Sequence, residues 1–174
     1  MSKTLHLKKK TLHEDDQKGV TIHQAKPEDV DRLVAYGEKF WSQTRYFKAG
    51  VDYDIDTVTA VTNNLLDEGV VLYARDVDNN IIALMLVIIA PFPMNVNYLM
   101  ACEWVFYVDP AFRRGGLGVK LIKTAEKLLI ARQVTFFTMV SLINVTPEAA
   151  NQLYQSLGFE HSESSYTKEI SWPS

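Results

Sequence analysis

A mixed β-sheet flanked by helices, in a chain of α/β (α+β) class, is the fold the sequence predicts. Two observations carry it. Apolar residues switch between period two and period 3.6 along the chain, and the segments come in the order strand, two helices, three strands, helix, strand, helix, strand. No internal repeat or low-complexity linker interrupts that order.

The elements justify themselves in turn. "VTIHQA" from Val20 alternates as a strand does, and "KPEDVDRLVAYGEKFW" sets Val30, Leu33, Val34 and Phe40 at helical spacing behind a Pro-Glu-Asp start. "SQTRYFKAGVDYD" reads as an irregular aromatic connector. "IDTVTAVTNNLLDEG" places Val58, Val61, Leu65 and Leu66 on one face and stops at Gly69, a residue that helix C-termini prefer. "VVLYARD", the turn "VDNN" and "NIIALMLVIIA" form a strand hairpin, and "YLMACEWVFYV" is a third consecutive strand. "GLGVKLIKTAEKLLIARQ" carries a stripe of Leu117, Leu121, Ala125 and Leu128. A strand "VTFFTMVSLI" follows, then a helix "TPEAANQLYQSLGF" with Thr146 as N-cap and Pro147 at its first position, then a last strand "SYTKEISW".

Composition bounds what such a fold does. At 174 residues and 47% apolar content the chain builds one real core, expected over residues 20–174, while the polar, charge-blocked residues 1–19 are expected to be a flexible tail. A net charge of -3 supplies no global basic field, so nucleic acid is not an expected partner and any anion site must be local. One cysteine, Cys102, excludes an intrachain disulfide and fits a reducing, cytoplasmic setting. The greasiest run, Ile81 to Ala90, is too short to span a bilayer, no signal peptide is visible, and the four histidines lack metal-ligand spacing. Neither a membrane nor a metal is expected.

The most informative stretch is "FRRGGLGVKLI", Phe112 to Ile122, which sets three helix-weakening glycines where a helix begins. A helix N-terminus offers unpaired N–H groups and the positive end of the helix dipole. Side chains at Gly116 and Gly118 would stand between those groups and a bound phosphate, and Arg113 and Arg114 add positive charge. A Walker loop is excluded because Val119 follows Gly118, and a dinucleotide fingerprint would need glycine at Leu121.

The run Arg113-Arg114-Gly115-Gly116-Leu117-Gly118 resembles the Arg/Gln-x-x-Gly-x-Gly/Ala acetyl-CoA signature of the GCN5-related N-acetyltransferases (GNAT). "VDPAFRRGGLGVKLI" is similar to that family's strand, turn, loop and helix in register, and "NVTPEAANQLYQSLGF" to its late helix, so the resemblance covers Val20 to the C-terminus. It implies a mixed, mostly antiparallel sheet of six to seven strands flanked by about four helices, with a splayed strand pair forming the CoA cleft.

The resemblance also implies chemistry. Backbone groups near Phe106, Tyr107 and Val108 would pair with pantetheine, and the pyrophosphate would lie on Arg113, Arg114, Gly115, Gly116, Leu117 and Gly118. An amine acceptor would attack the thioester directly. Tyr154 is the expected general acid returning a proton to the thiolate, and Asn144 and Asn151 are candidate CoA contacts, although Pro147 stands where the family often has asparagine. Glu103 is the candidate base, as the one carboxylate inside "YLMACEWVFYV"; alternation alone equally allows it to face solvent on a strand edge.

The acceptor region maps to the connector and to "PFPMNVNY", where Trp41, Tyr46, Phe47 and Phe92 are candidates for an aromatic wall and Asp52, Asp54 and Asp56 for a cation site; an ordinary connector fits equally well. Exposed strands and the connector would also serve a homodimer. The function expected is acetyl-CoA-dependent N-acetyl transfer to a small molecule or protein amine, the alternatives being another acyl-CoA donor or a CoA-binding module without turnover.

Overall fold

The computed structural model describes residues 13–14, 19–142 and 147–170. In chain order it contains β1 (His13–Glu14), β2 (Thr21–Gln24), α1 (Val30–Trp41), the single-turn α2 (Arg45–Lys48), α3 (Ile55–Glu68), β3 (Gly69–Arg75), β4 (Ile81–Phe92), β5 (Asn95–Val108), α4 (Leu117–Ala131), β6 (Val134–Thr138) and α5 (Pro147–Ser156). One sheet holds the strands in sequence order. Neighbours are antiparallel from β1 to β5, and β6 runs parallel to β5. That last pairing needs a crossover, and α4 is the crossover.

Local chemistry fixes the helix starts. The carboxylate of Asp29 accepts from the Lys26 N–H at 3.0 Å just ahead of α1, and the Asp54 carboxylate accepts from the Thr57 N–H at 2.7 Å to cap α3. The two sheet faces are then covered by different helices. Leu33 and Tyr36 of α1 and Leu65 of α3 pack with Val71, Tyr73, Leu84 and Leu86, while Leu117, Leu121 and Ala125 of α4 pack with Val70, Leu72, Met85 and Val87 on the other face. β3 and β4 are buried on both faces, so their near-continuous apolar runs follow from double coverage.

Two features differ from the sequence reading. The sheet is five strands plus the two-residue pairing of β1, not six to seven full strands, because the described part of "SYTKEISW" does not pair: residues 159–170 are irregular, with Tyr166 97% and Ile170 68% exposed. Alternation only reports fitness for a half-buried surface and does not name a strand to pair with. "PFPMNVNY" is not a loop. β4 runs through Phe92 and β5 begins at Asn95, so the segment is a projecting hairpin with Met94, Val96 and Tyr98 exposed.

Gly69 ends α3, as its sequence position predicts, in extended backbone with φ -134°. It is glycine because a Cβ there would lie 2.4 Å from the Val87 carbonyl oxygen and 2.7 Å from Leu65. Gly69→Ala should therefore lower unfolding stability by about 1–3 kcal/mol in urea titration. A loss within experimental error would mean that β3 and β4 can part at this position without cost.

Candidate functional site

β5 is the strand on which the candidate site is built. Its parallel pairing with β6 starts at Leu99↔Val134 and stops at Cys102↔Thr138, while pairing with β4 continues to Val108. From Glu103 onward the outer edge of β5 therefore has no strand partner among the described residues, and β5 and β6 fork. At the same place β5 bulges: Val87 lies opposite Glu103 and Leu86 opposite Val105, leaving Trp104 as the extra, exposed residue. The bulge shifts the alternation by one, so Ala101 before it and Phe106 and Val108 after it join the core on the α4 side.

The glycine loop lies at the far end of this open edge. A 3-10 turn, Pro110–Gly115, leads into Gly116, whose φ of +78° is the left-handed conformation that glycine adopts freely. No atom lies within 4 Å of where a Cβ would stand at Gly116, so the space above the α4 N-terminus is open. Gly118 is glycine for another reason: a Cβ there would meet Phe106 at 3.3 Å and Leu153 at 3.6 Å, so its absence lets α4 approach β5 and α5 closely. Leu117 is buried in the core, leaving its backbone as the only part able to meet a ligand.

The two arginines are both exposed but differ in their partners. Arg113 donates from Nε to the Val108 carbonyl at 2.9 Å and lies 5.7 Å over the Tyr107 ring, bracing the loop on the end of β5. The Val108 carbonyl is thereby engaged, and the Asp109 N–H donates to the Ile82 carbonyl at 2.9 Å, so the antiparallel alternation turns the Tyr107 backbone toward Leu84 of β4 and leaves Phe106 as the member of the trio whose backbone faces the open edge. Tyr107 is further fixed by Gln43, which donates to its hydroxyl at 3.0 Å.

Glu103 does not face solvent. It is 6% exposed, and its Oε2 accepts from the Val140 N–H at 3.1 Å, just beyond the last β5–β6 pair. Burial pushes its carboxyl up to about 7, partly offset by that backbone hydrogen bond. Tyr154, on the buried face of α5, donates its hydroxyl to the Val140 carbonyl at 3.2 Å. Burial, then the nearby Glu103 carboxylate, raise its phenol above the ordinary range. Glu103 and Tyr154, 51 positions apart in sequence, thus meet at the two ends of one residue's peptide groups.

The other expected contacts are dispersed. Asn151 is exposed on α5, lining a cleft of about 1210 Å³ that opens between the free edge of β6 and the segment after α5, together with Arg45, Tyr46, Tyr154 and Glu163. Asn144 and Thr146 lie outside the described residues. Trp41 and Tyr46 do stack, with centroids 6.0 Å apart, but Phe92 sits elsewhere, against Phe136 at 5.6 Å. Asp54 is occupied as the α3 cap. Among the described residues no group of three or more His, Cys, Asp or Glu could hold a metal, and no helix is long and apolar enough to cross a membrane.

Sequence reasoning missed Val140, which acts through its backbone and leaves no residue-type signal. It missed the bulge too, although the loss of alternation across "EWVFYV" was its trace.

The Glu103 carboxyl also makes a stability prediction. The folded protein keeps its proton up to about pH 7, whereas an unfolded chain releases it near the ordinary 4.5, so the folded state binds more protons in between. Stability should fall as pH rises through that window, by on the order of 3 kcal/mol in full. Urea titrations at pH 5 and pH 8 should show this loss for the native chain and a flatter dependence for Glu103→Gln.

Known proteins bear on this geometry. The family model described as an acetyltransferase (GNAT) domain matches residues 67–161, just over half of the chain. No curated protein matches by sequence. Among solved structures, a predicted acetyltransferase with acetyl-CoA from Clostridium acetobutylicum aligns with TM-score 0.67 at 17% identity, covering 86% of this chain and 96% of its own. An aminoglycoside acetyltransferase from an uncultured soil metagenomic sample aligns with TM-score 0.66 at 20% identity, covering 88% and 99%. An aminoglycoside 6'-N-acetyltransferase from Acinetobacter baumannii aligns with TM-score 0.62 at 18% identity, covering 88% and 100%. At these identities the structures share the fold. With β5, the glycine loop, α4, β6 and α5 all inside the matched span, the chain belongs to the GNAT acetyltransferase family.

Proposed function

We propose that this chain is an acetyl-CoA-dependent N-acetyltransferase that passes the acetyl group directly to a primary amine of a small molecule or protein. The observation that carries the proposal is the fork: an unpaired strand edge leads from an open, left-handed glycine loop to a buried carboxylate and a buried phenol.

The donor fits what the chain presents. Open space above Gly116, with the N–H groups at the start of α4 and the exposed Arg114, suits a pyrophosphate, and the free edge at Phe106 suits the amides of pantetheine. When bound there, acetyl-CoA supplies an activated acyl carbon on a thiolate leaving group. The bulge at Trp104 reorients β5 backbone near the reacting end, where an N–H can stabilise charge developing on the carbonyl oxygen. Glu103, whose carboxyl sits at about 7, takes the proton lost by the attacking amine. Tyr154 gives its proton to the departing sulfur. Asn151, and the acidic residues Glu126, Glu160 and Glu163 against the single Arg45, line the cleft beyond β6 and suit a cationic acceptor such as those named for several neighbours.

Calorimetric titration with acetyl-CoA, with CoA and NAD in parallel, should give saturable binding of both CoA compounds that Gly116→Asp abolishes without unfolding the protein. Against a panel of aminoglycosides, alkylamines and lysine peptides, Tyr154→Phe should lower kcat about 100-fold or more with little change in KM. A folded chain that binds neither CoA compound would overturn the proposal. Binding without turnover on any amine would favour a CoA-binding module instead.

A further inference from the structure

The two groups proposed for proton transfer are bonded to the same residue. Glu103 Oε2 accepts from the N–H of Val140 at 3.1 Å, and the carbonyl of Val140 accepts from the hydroxyl of Tyr154 at 3.2 Å. Both side chains are buried, and Val140 lies two residues past the end of β6, where the chain has left the sheet. No strand partner on β5 competes for its N–H, because the β5–β6 pairing has ended at Cys102↔Thr138. The N–H and C=O of Val140 lie on successive peptide planes hinged at its Cα, so the two bonds together fix the orientation of this residue, and loosening one frees the other.

We propose that Val140 couples the base to the acid: a charged Glu103 holds the Val140 N–H tightly and keeps the Tyr154 hydroxyl on the Val140 carbonyl, while protonation of Glu103 loosens both bonds and releases the phenol hydrogen. The coupling is a property of the protein itself, and its catalytic meaning rests on the proposed function. In the transfer, the C–N bond forms and the C–S bond breaks. The amine proton goes to Glu103, the Tyr154 proton goes to the sulfur, and the proton held by Glu103 then returns through solvent to restore the phenol. Tyr154 is thus freed to donate only after the amine has lost its proton. Val140 is a positioning residue in this scheme.

Tyr154 of α5 faces Glu103, and Cys102 adjoins it on β5, its thiol pushed up by burial first and then by Glu103 and Glu163. Glu126 of α4 and Glu160, His161 and Glu163 of the segment after α5 line the same cleft as Val140 and Tyr154. β4 presents the uncharged Val87 opposite Glu103, and β6 ends in the uncharged Thr138. Burial raises the Glu103 carboxyl to about 7, inside the pH range that the test spans.

The test uses the ligand-free, full-length protein labelled with 15N and with 13C at tyrosine Cζ, followed by NMR between pH 5 and 9. The Val140 amide and the Tyr154 Cζ should titrate with one common midpoint near pH 7, and Glu103→Gln should flatten both. Tyr154→Phe, which keeps the ring against Phe159, should raise the midpoint seen at Val140 by roughly 0.3 pH unit, a twofold change in proton affinity, because the Val140 carbonyl has lost its donor. A Tyr154 signal that titrates while Val140 stays flat would reduce the effect to charge acting through space and overturn the coupling. So would a Val140 midpoint that Tyr154→Phe leaves unmoved, or titration surviving in Glu103→Gln. Because no substrate is involved, these results stand apart from whether the chain transfers acetyl groups.

Discussion

Everything proposed for this molecule depends on β5 having two neighbours from Leu99 to Cys102 and, among the described residues, one from Glu103 onward. β4 follows β5 to Val108, whereas β6 leaves after Thr138. Backbone N–H and C=O groups on the unaccompanied edge still need partners, and an unpaired strand edge is a template for any extended molecule that supplies them. The fork therefore turns a sheet, whose usual task is to bury apolar side chains, into a surface that recognises a backbone-like ligand.

Neighbouring elements act to hold the fork open and to furnish its two ends. At the outer end, Arg113 reaches back to the Val108 carbonyl and fixes the loop, so Gly116 presents its open left-handed turn beside the strand instead of drifting from it. At the inner end, Glu103 substitutes for the missing strand pairing by accepting from Val140, with Tyr154 closing the arrangement from α5. Glycine at 118 connects the two ends, since the approach of α4 to Phe106 and Leu153 leaves no room for a side chain. A carboxylate used as a strand partner inside the protein is costly to ionise, and that cost is what moves Glu103 toward neutral pH.

Much of this was legible in the sequence, and what was not has physical reasons. Helices α1, α3 and α4 declared themselves by periodicity because each covers one sheet face, and the glycine loop by residue types that only a close backbone approach explains. Tyr154 was singled out by resemblance and lies at the fork. The face of Glu103 could not be read, since β5 is apolar on both sides and its bulge resets the alternation between Glu103 and Val105. Gly69 and Gly118 were right as glycines for reasons of space that only the packed neighbours reveal. The segment "SYTKEISW" alternated like a strand, yet alternation does not name a partner, and residues 159–170 are irregular.

The measurement that bears most directly on the central claim is amide hydrogen exchange by mass spectrometry with and without acetyl-CoA, resolved over β5, the loop and the segment after α5. The fork requires ligand protection to concentrate at residues 104–108 and 113–118. Protection confined to β6 and residues 159–167, which line the cleft beyond β6, would show that the open edge of β5 is not where the donor binds and would contradict the account.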